Sequence, residues 1–259
     1  VLVKGGAVIG KGWHRCAGGP HAEVEAIRDA ERHDCNIKGA TLYVTLEPCS
    51  TIGRTPPCTD AIQRAGIKRL VVGAIDPNPK HAGRAFRMLR KAGMEVRHKV
   101  LQREAQAMNE AFNHWVTTGL PWVSVKAAMT LDGKIATESG ESKWITGEAA
   151  RRKGIYLRKG SDAILVGVET VLADNPSLLA RGKRGGVALR RLILDSQART
   201  PMDAQVVSDD HEQHTTVVVL RGAPAKRVAA LKQRVNVLEA PARNGRIDLR
   251  WLLKRLGKE

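Results

Sequence analysis

The residues able to do chemistry lie in two short runs. The first is Pro20-His21-Ala22-Glu23. The second is Glu47-Pro48-Cys49, with Cys58 following nine residues later in Pro57-Cys58. Together they offer one imidazole, two thiols and a carboxylate. One imidazole and two thiols make a zinc site with three protein ligands, His21, Cys49 and Cys58, and leave the fourth tetrahedral position open to water. Glu23 cannot be a fourth ligand and still do the chemistry. Its expected role is to take a proton from that water and deliver it to a ring nitrogen and a leaving amine. The order His-x-Glu, then Pro-Cys, then Cys is that of zinc deaminases, which exchange an amino group for a carbonyl and release ammonia. The usual interval between the two cysteines is two residues, so the wider interval here sets this chain apart.

Each of these residues has a plainer reading. A lone cysteine is usually a small buried hydrophobe, and Cys16 and Cys35 keep that reading. A glutamate in a helix's first turn favours the helix dipole wherever it occurs. The case for the four residues is joint, and it rests on the elements that must position them. From residue 21 to residue 32 the apolar positions Val24, Ile27 and Ala30 recur at helical spacing. This places His21 at a helix start and Glu23 in its first turn. Residues 40–46 read as a buried strand ending at Pro48, which cannot extend a central strand, so Cys49 falls on the loop beyond. That loop leads to a helix over 58–65 opened by Cys58. Helix N-termini favour thiolate over thiol.

The remaining pattern alternates strands and helices. A hairpin is expected at 2–10 around Gly5-Gly6. A strand is expected at 68–74, a helix ending at Ala92, a strand at 94–98 and one long helix at 101–116. Thr117-Thr118-Gly119-Leu120-Pro121 reads as a domain junction. Beyond it the pattern predicts a strand at 122–129, a turn at Asp132-Gly133-Lys134 and a helix at 147–159 capped by Thr146. A strand at 162–168, a short helix at 169–173 and a basic, Gly-rich loop at 181–186 follow. Strands are then expected at 191–195, 216–220 and 235–238, with helices at 223–233 and 249–256. This is an α/β pattern in two domains, 1–118 and 119–259.

Composition narrows the function. The net charge is +17, yet it is spread over both halves, and no run of aromatic side chains accompanies it among the five Trp, two Tyr and two Phe. Nucleic acid is therefore not the expected partner; phosphorylated small molecules are. No apolar run approaches the roughly 20 residues of a membrane helix, and nothing resembles a signal peptide. Four Cys at irregular spacing fit a reducing cytosol, so a cytoplasmic protein is expected.

Longer motifs are more specific. The run from Thr45 through Glu47-Pro48-Cys49-Ser50 to Gly53-Arg54-Thr55-Pro56-Pro57-Cys58 is one, and Asp76-Pro77-Asn78-Pro79 with Ala82-Gly83-Arg84 is another. Lys126–Lys134, Ser142-Lys143-Trp144-Ile145-Thr146 and Leu165–Thr170 with Ala173-Asp174-Asn175-Pro176 complete the set. In this unbroken order they resemble the bifunctional riboflavin-biosynthesis deaminase–reductases over almost the whole chain. The resemblance implies a cytidine-deaminase-like three-layer α/β/α domain followed by a dihydrofolate-reductase-like α/β domain. The first would deaminate a phosphoribosylated diaminopyrimidinone, and the second would reduce the ribosyl group of the product to ribityl with NADPH. Zn2+ and NADPH are the cofactors implied, and the family often assembles into homo-oligomers. By motif, His14, Arg54 and Asp76 match positions near the deaminase substrate. Ala128, Trp144, Thr170, Asp174 and Ser196 match NADP contacts. Ser142, Arg158, Leu178 and Arg181 match reductase substrate contacts, with Lys126 and Thr146 lining the same site. A phosphate suits Arg158 and Arg181, since guanidinium binds it bidentately.

The chain departs from the family in three places. Thr51-Ile52 stand where the family usually has a substrate-holding His, so weaker substrate binding is expected. An Asn-Pro ahead of the first hairpin and a Glu-Gly-Gly segment near the end are not in the sequence. On that ground the chain reads as an internal fragment, and its reductase is expected to be inactive as it stands. Two other readings are a tRNA or nucleobase deaminase, and a chain whose zinc is structural and supports no turnover.

Overall fold

The computed structural model describes residues 1–179 and 189–259. The chain divides into two compact units, Val1–Trp122 and a second that runs from Val123 to Gly257.

The first unit is built on a five-stranded sheet flanked by helices. Strands β1 (Leu2–Lys4) and β2 (Ala7–Gly10) form the hairpin, followed by helix α1 (Ala22–Arg32), β3 (Thr41–Leu46) and α2 (Cys58–Arg64). Then come β4 (Arg69–Ala74), α3 (Arg84–Lys91), β5 (Glu95–Arg97), α4 (Gln102–Met108) and α5 (Glu110–Thr118). The sheet order is β2-β1-β3-β4-β5. β1 runs antiparallel to β2 and β3, while β3, β4 and β5 are parallel. Strand β4, between β3 and β5, buries Leu70, Val71, Val72 and Ala74, as a strand covered on both faces must. Ala26, Ile27 and Ala30 of α1, Ile62 of α2, and Phe86 and Leu89 of α3 share one core with Leu42, Leu70 and Val72. α4 packs on β3 and β4 through buried Ala105. Two glycines let the hairpin close on α1. A Cβ on Gly10 would stand 2.3 Å from the Ala26 carbonyl oxygen, and one on Gly12 would stand 2.3 Å from the Ala22 oxygen. The turn that carries His21 is thereby pressed against the sheet.

The second unit contains α6 (Glu148–Arg158), β6 (Ala163–Gly167), α7 (Val168–Asp174), β7 (Arg190–Leu194) and α8 (Gln205–Ser208). It continues with β8 (Thr215–Leu220), α9 (Ala225–Lys232), β9 (Asn236–Ala240), a small hairpin of β10 (Ala242–Arg243) and β11 (Arg246–Ile247), and α10 (Leu249–Leu256). Strands β6-β7-β8-β9 are all parallel and adjacent in that order. β8 is buried on both faces. Val217 and Val219 meet Val168 and Val171 of α7 and Val228 and Leu231 of α9, while Val218 meets Leu252 of α10. The period-2 alternation of a strand sends neighbouring valines to opposite layers.

Three expectations from sequence are corrected, and one hairpin is added. The helix expected over 101–116 is two helices broken at Asn109, whose φ is −112°. The Asn109 side-chain amide donates to the Ala105 carbonyl at 2.9 Å, offering the backbone a local alternative to continuing the helix. The strand expected over 122–129 does not form; its apolar residues are suited to a sheet, but no strand among the described residues pairs with them. Thr146 does not cap α6. Gly147 holds that position, and the Thr146 carbonyl accepts a 2.7 Å bond from Arg151 instead. The β10–β11 hairpin was not anticipated, although its turn, Asn244-Gly245 with φ of 50° and 72°, is the strongest short hairpin signal a sequence carries.

Candidate active site

In the first unit, His21 is the N-cap of α1, with extended backbone, so its side chain leaves the helix end freely. Cys49 follows β3 directly after Pro48. Its carbonyl accepts from the Thr59 amide at 3.2 Å, which ties it to the start of α2. Cys58 is the first residue of α2, and its main-chain N–H donates to the Cys49 sulfur at 3.2 Å. Three segments far apart in sequence therefore converge. His21 Nδ1 lies 3.4 Å from Cys49 Sγ and 3.3 Å from Cys58 Sγ.

The donors fit a metal. Tetrahedral zinc, with Zn–S about 2.3 Å and Zn–N about 2.0–2.1 Å, separates N from S by about 3.6 Å. The ligand atoms of His21, Cys49 and Cys58 all lie within 4.8 Å of one another, and no other such cluster of three occurs among the described residues. Two soft sulfurs and one imidazole are a zinc set rather than a magnesium or calcium set.

Electrostatics support the same assignment. The Cys49 thiol is lowered to about 4, chiefly by its hydrogen bond from the Cys58 thiol, with His21 and the Cys58 amide adding to it. The Cys58 thiol is pushed up by that same bond and by burial, since two thiolates side by side repel. His21 is raised by its bond to Cys49. The two sulfurs thus differ in their hold on a proton, and a bound cation would take both as thiolates. Glu23, in the first turn of α1, is buried at 7% exposure. Burial pushes its carboxyl upward, and it senses both thiols and the imidazole.

Around this centre the other candidates fall at different distances. The His14 ring meets His21 edge-on at 5.2 Å, and its Nδ1–H donates to the Pro20 carbonyl at 3.0 Å. Asp76, just past β4, is buried, and burial raises its carboxyl. It accepts from the Asn78 amide at 2.8 Å and feels the charge of Cys49. Arg54 is exposed on the loop between Cys49 and Cys58, with its chain beside Gly18. One residue was quoted in the motif without a role. Glu47 is buried, and its carboxylate accepts from the amides of Asp76, Gly83 and Ala85.

In the second unit, Thr170 and Asp174 lie on α7, which leaves the C-terminal end of β6, and Ser196 lies just beyond the C-terminal end of the neighbouring parallel strand β7. That end of an open parallel sheet is where nucleotides bind. Lys143 pairs with Asp174 at 3.2 Å and so brings the Ser142–Thr146 segment to the same end. Trp144 is exposed there, with the Arg151 guanidinium 4.3 Å from its ring. Lys126 extends over Gly154 of α6, the helix that ends at half-buried Arg158. Ala128 is half-buried on the stretch that follows the junction. Leu178 is part of the core, at 3% exposure. Arg181 lies outside the described residues. Asp195 is buried at the end of β7. Its Oδ2 accepts two bonds from Thr200, while Oδ1 has no partner among the described residues.

Comparison with known proteins identifies both domains. Residues 121–259 match the RibD C-terminal domain, and residues 1–74 match the cytidine and deoxycytidylate deaminase zinc-binding region. The riboflavin biosynthesis protein RibD of Actinobacillus pleuropneumoniae is 46% identical over the whole chain, which spans 68% of that protein. The chain belongs to the RibD family. The Escherichia coli K12 RibD is 41% identical, with the whole chain matched to 71% of it. Against the Bacillus amyloliquefaciens RibD the identity is 48%, but only 56% of that protein is spanned. A solved Acinetobacter baumannii RibD superposes on all of this chain with a TM-score of 0.82 at 39% identity, and 69% of it is covered. A Thermotoga maritima diaminohydroxyphosphoribosylaminopyrimidine deaminase/5-amino-6-(5-phosphoribosylamino)uracil reductase gives 0.83 at 38%, with 70% covered. As in the RibD family, a zinc-binding deaminase domain precedes a dihydrofolate-reductase-like reductase domain in this chain.

Proposed function

We propose that this chain carries the deaminase activity and the reductase domain of riboflavin biosynthesis named for its relatives. Residues 1–118 deaminate the phosphoribosylated diaminopyrimidine, and residues 119–259 form the domain of the NADPH-dependent reductase, whose reaction turns the ribosyl group of the product into ribityl. The observation that carries the reading is the convergence of His21, Cys49 and Cys58 with the buried Glu23 beside them. Zinc, when bound, supplies a Lewis acid that brings the acidity of water toward neutral pH. The protein does the rest. Cys49 and Cys58 set the charge and shape of the metal pocket, and His21 completes it from a separate helix. Glu23 takes a proton from the attacking water; burial raises its carboxyl, which favours the protonated form so made. It then hands the water's protons in turn to the ring nitrogen and to the departing amine. His14, Arg54 and Asp76 form the wall facing the substrate.

In the second domain Ala128, Trp144, Thr170, Asp174 and Ser196 would hold NADPH, which supplies a hydride. Lys126, Ser142, Thr146, Arg158 and Arg181 would hold the phosphorylated pyrimidine, with Leu178 shaping that site from the core beneath it. All four cysteines are free among the described residues, which supports work in a reducing cytoplasm, and we propose that the protein acts there as a homo-oligomer. The deciding experiment offers the purified protein the pyrimidine phosphate and, separately, tRNA. Ammonia should be released from the first and not from the second. Release from tRNA alone would overturn the reading.

A further inference from the structure

Glu47 poses a problem that the zinc chemistry does not solve. It opens the Glu-Pro-Cys run at 3% exposure, yet its carboxylate bonds to main-chain amides rather than to a metal ligand, and it makes no ion pair among the described residues. A buried carboxylate is costly unless hydrogen bonds replace its lost water. Here they come from three main-chain donors. Oε2 accepts from the Asp76 amide at 3.3 Å and the Gly83 amide at 2.8 Å, and Oε1 accepts from the Ala85 amide at 3.0 Å.

These donors are not scattered. Asp76 opens the loop after β4; Gly83 and Ala85 close it, at the start of α3. Gly83 is the N-cap of α3 and has no side chain with which to cap it. Glu47 fills that role from another element, satisfying N–H groups that the helix cannot. Its own amide is fixed too, donating to the Ala74 carbonyl at 2.9 Å. One carboxylate thus binds both ends of the 76–85 loop to the strand end that carries Cys49 two residues later.

We propose that Glu47 is a positioning residue for the deaminase site: its carboxylate clasps the 76–85 loop so that Asp76 is held beside the metal-ligating Cys49. The inference rests on the deaminase reading above and adds a residue that acts through Asp76 rather than on the substrate. Glutamine is the informative replacement. It keeps the shape but turns one acceptor into a donor facing an N–H, so the loop is released at one end. Charge-assisted bonds from Asp76, Gly83 and Ala85 weaken or vanish.

The test uses the full chain and three variants, Glu47→Gln, Asp76→Asn and the double variant. Glu47→Gln should keep one zinc per chain and lower kcat by about 10- to 100-fold, the cost of a small misplacement at a reacting centre, with KM for the pyrimidine phosphate changed less. The double variant should lose no more than the worse single, because both changes break one unit. A purely structural role would leave kcat intact below the melting point, and an independent role would multiply its loss with that of Asp76→Asn. Either result overturns the proposal, as does loss of zinc from Glu47→Gln. If that variant fails to fold, Glu47→Asp keeps the charge and shortens the reach. It should show the same kcat loss with zinc retained, and full activity would sink the idea. Amide exchange reads the clasp without turnover. The Gly83 and Ala85 amides should exchange faster in Glu47→Gln, and unchanged protection refutes the clasp. A parent protein that releases no ammonia would overturn the deaminase reading instead, leaving exchange to decide the clasp.

Discussion

Cys49 and Cys58 are a strand end and a helix start, and they hold protons unequally because the Cys58 amide and thiol both point at the Cys49 sulfur. Replacing either sulfur by oxygen removes a ligand from a set of three. Cys49→Ser and Cys58→Ser should each release zinc and destabilise the first unit, since metal binding is coupled to folding. Elemental analysis showing full zinc in either variant would remove that cysteine from the set. Glu23→Gln separates metal binding from proton transfer. It should retain zinc and lower ammonia release by at least about 100-fold, the low end for general acid–base catalysis; a metal-free variant would mean that Glu23 is a ligand after all. The convergence of His21, Cys49 and Cys58, with Glu23 in the first turn of α1, was legible in the sequence because residue type and spacing carry it. Glu47 was not. Its partners are main-chain amides 29 to 38 residues away, and an amide has no letter in a sequence.

At the scale of elements, periodicity located most strands and helices to within a residue or two, and it failed where a long-range partner decides. The break at Asn109 and the unpaired stretch after the junction are of that kind. So is Arg191, in an otherwise apolar strand. Its guanidinium is fully buried, binds both Asp209 oxygens at 2.6 and 2.8 Å, and also reaches Thr215 and the carbonyls of Ser177 and Val206. It staples β7, β8 and α8 together. Removing one partner of a buried pair typically costs about 3–5 kcal/mol, so Asp209→Asn should destabilise the second unit by about that much at neutral pH. The pH dependence has a definite sign. The Arg191 guanidinium holds the Asp209 carboxyl below its usual range. Its stabilisation is therefore present above the unfolded value of about 3.9 and lost as pH falls through the folded value. Denaturant midpoints of parent and variant should converge below about pH 3.9. A gap that stays constant from neutral pH to pH 3 would show that the pair contributes through packing alone.

For the whole molecule, the sequence signalled two domains by its repeated strand–helix alternation and its Thr-Thr-Gly-Leu-Pro junction, and contacts divide the chain near Trp122. Each unit has its own core, one built on Leu42, Leu70 and Val72 and the other on Ile193, Val217 and Val219. Separate cores allow separate unfolding transitions, and the two perturbations already argued address one unit each. A chelator withdraws zinc, whose binding stabilises only the state that holds the assembled site. Peptides from residues 1–122 should then lose exchange protection at a lower temperature, while those from residues 123–257 keep theirs. Asp209→Asn should do the reverse, lowering the second transition by about 10 °C, given a few degrees per kcal/mol for domains of this size. Both treatments together should give the sum of the two shifts, because the altered sites share no partners. If the chelator moves both transitions equally, the chain folds as a single cooperative unit, and the two-domain account of its stability is wrong.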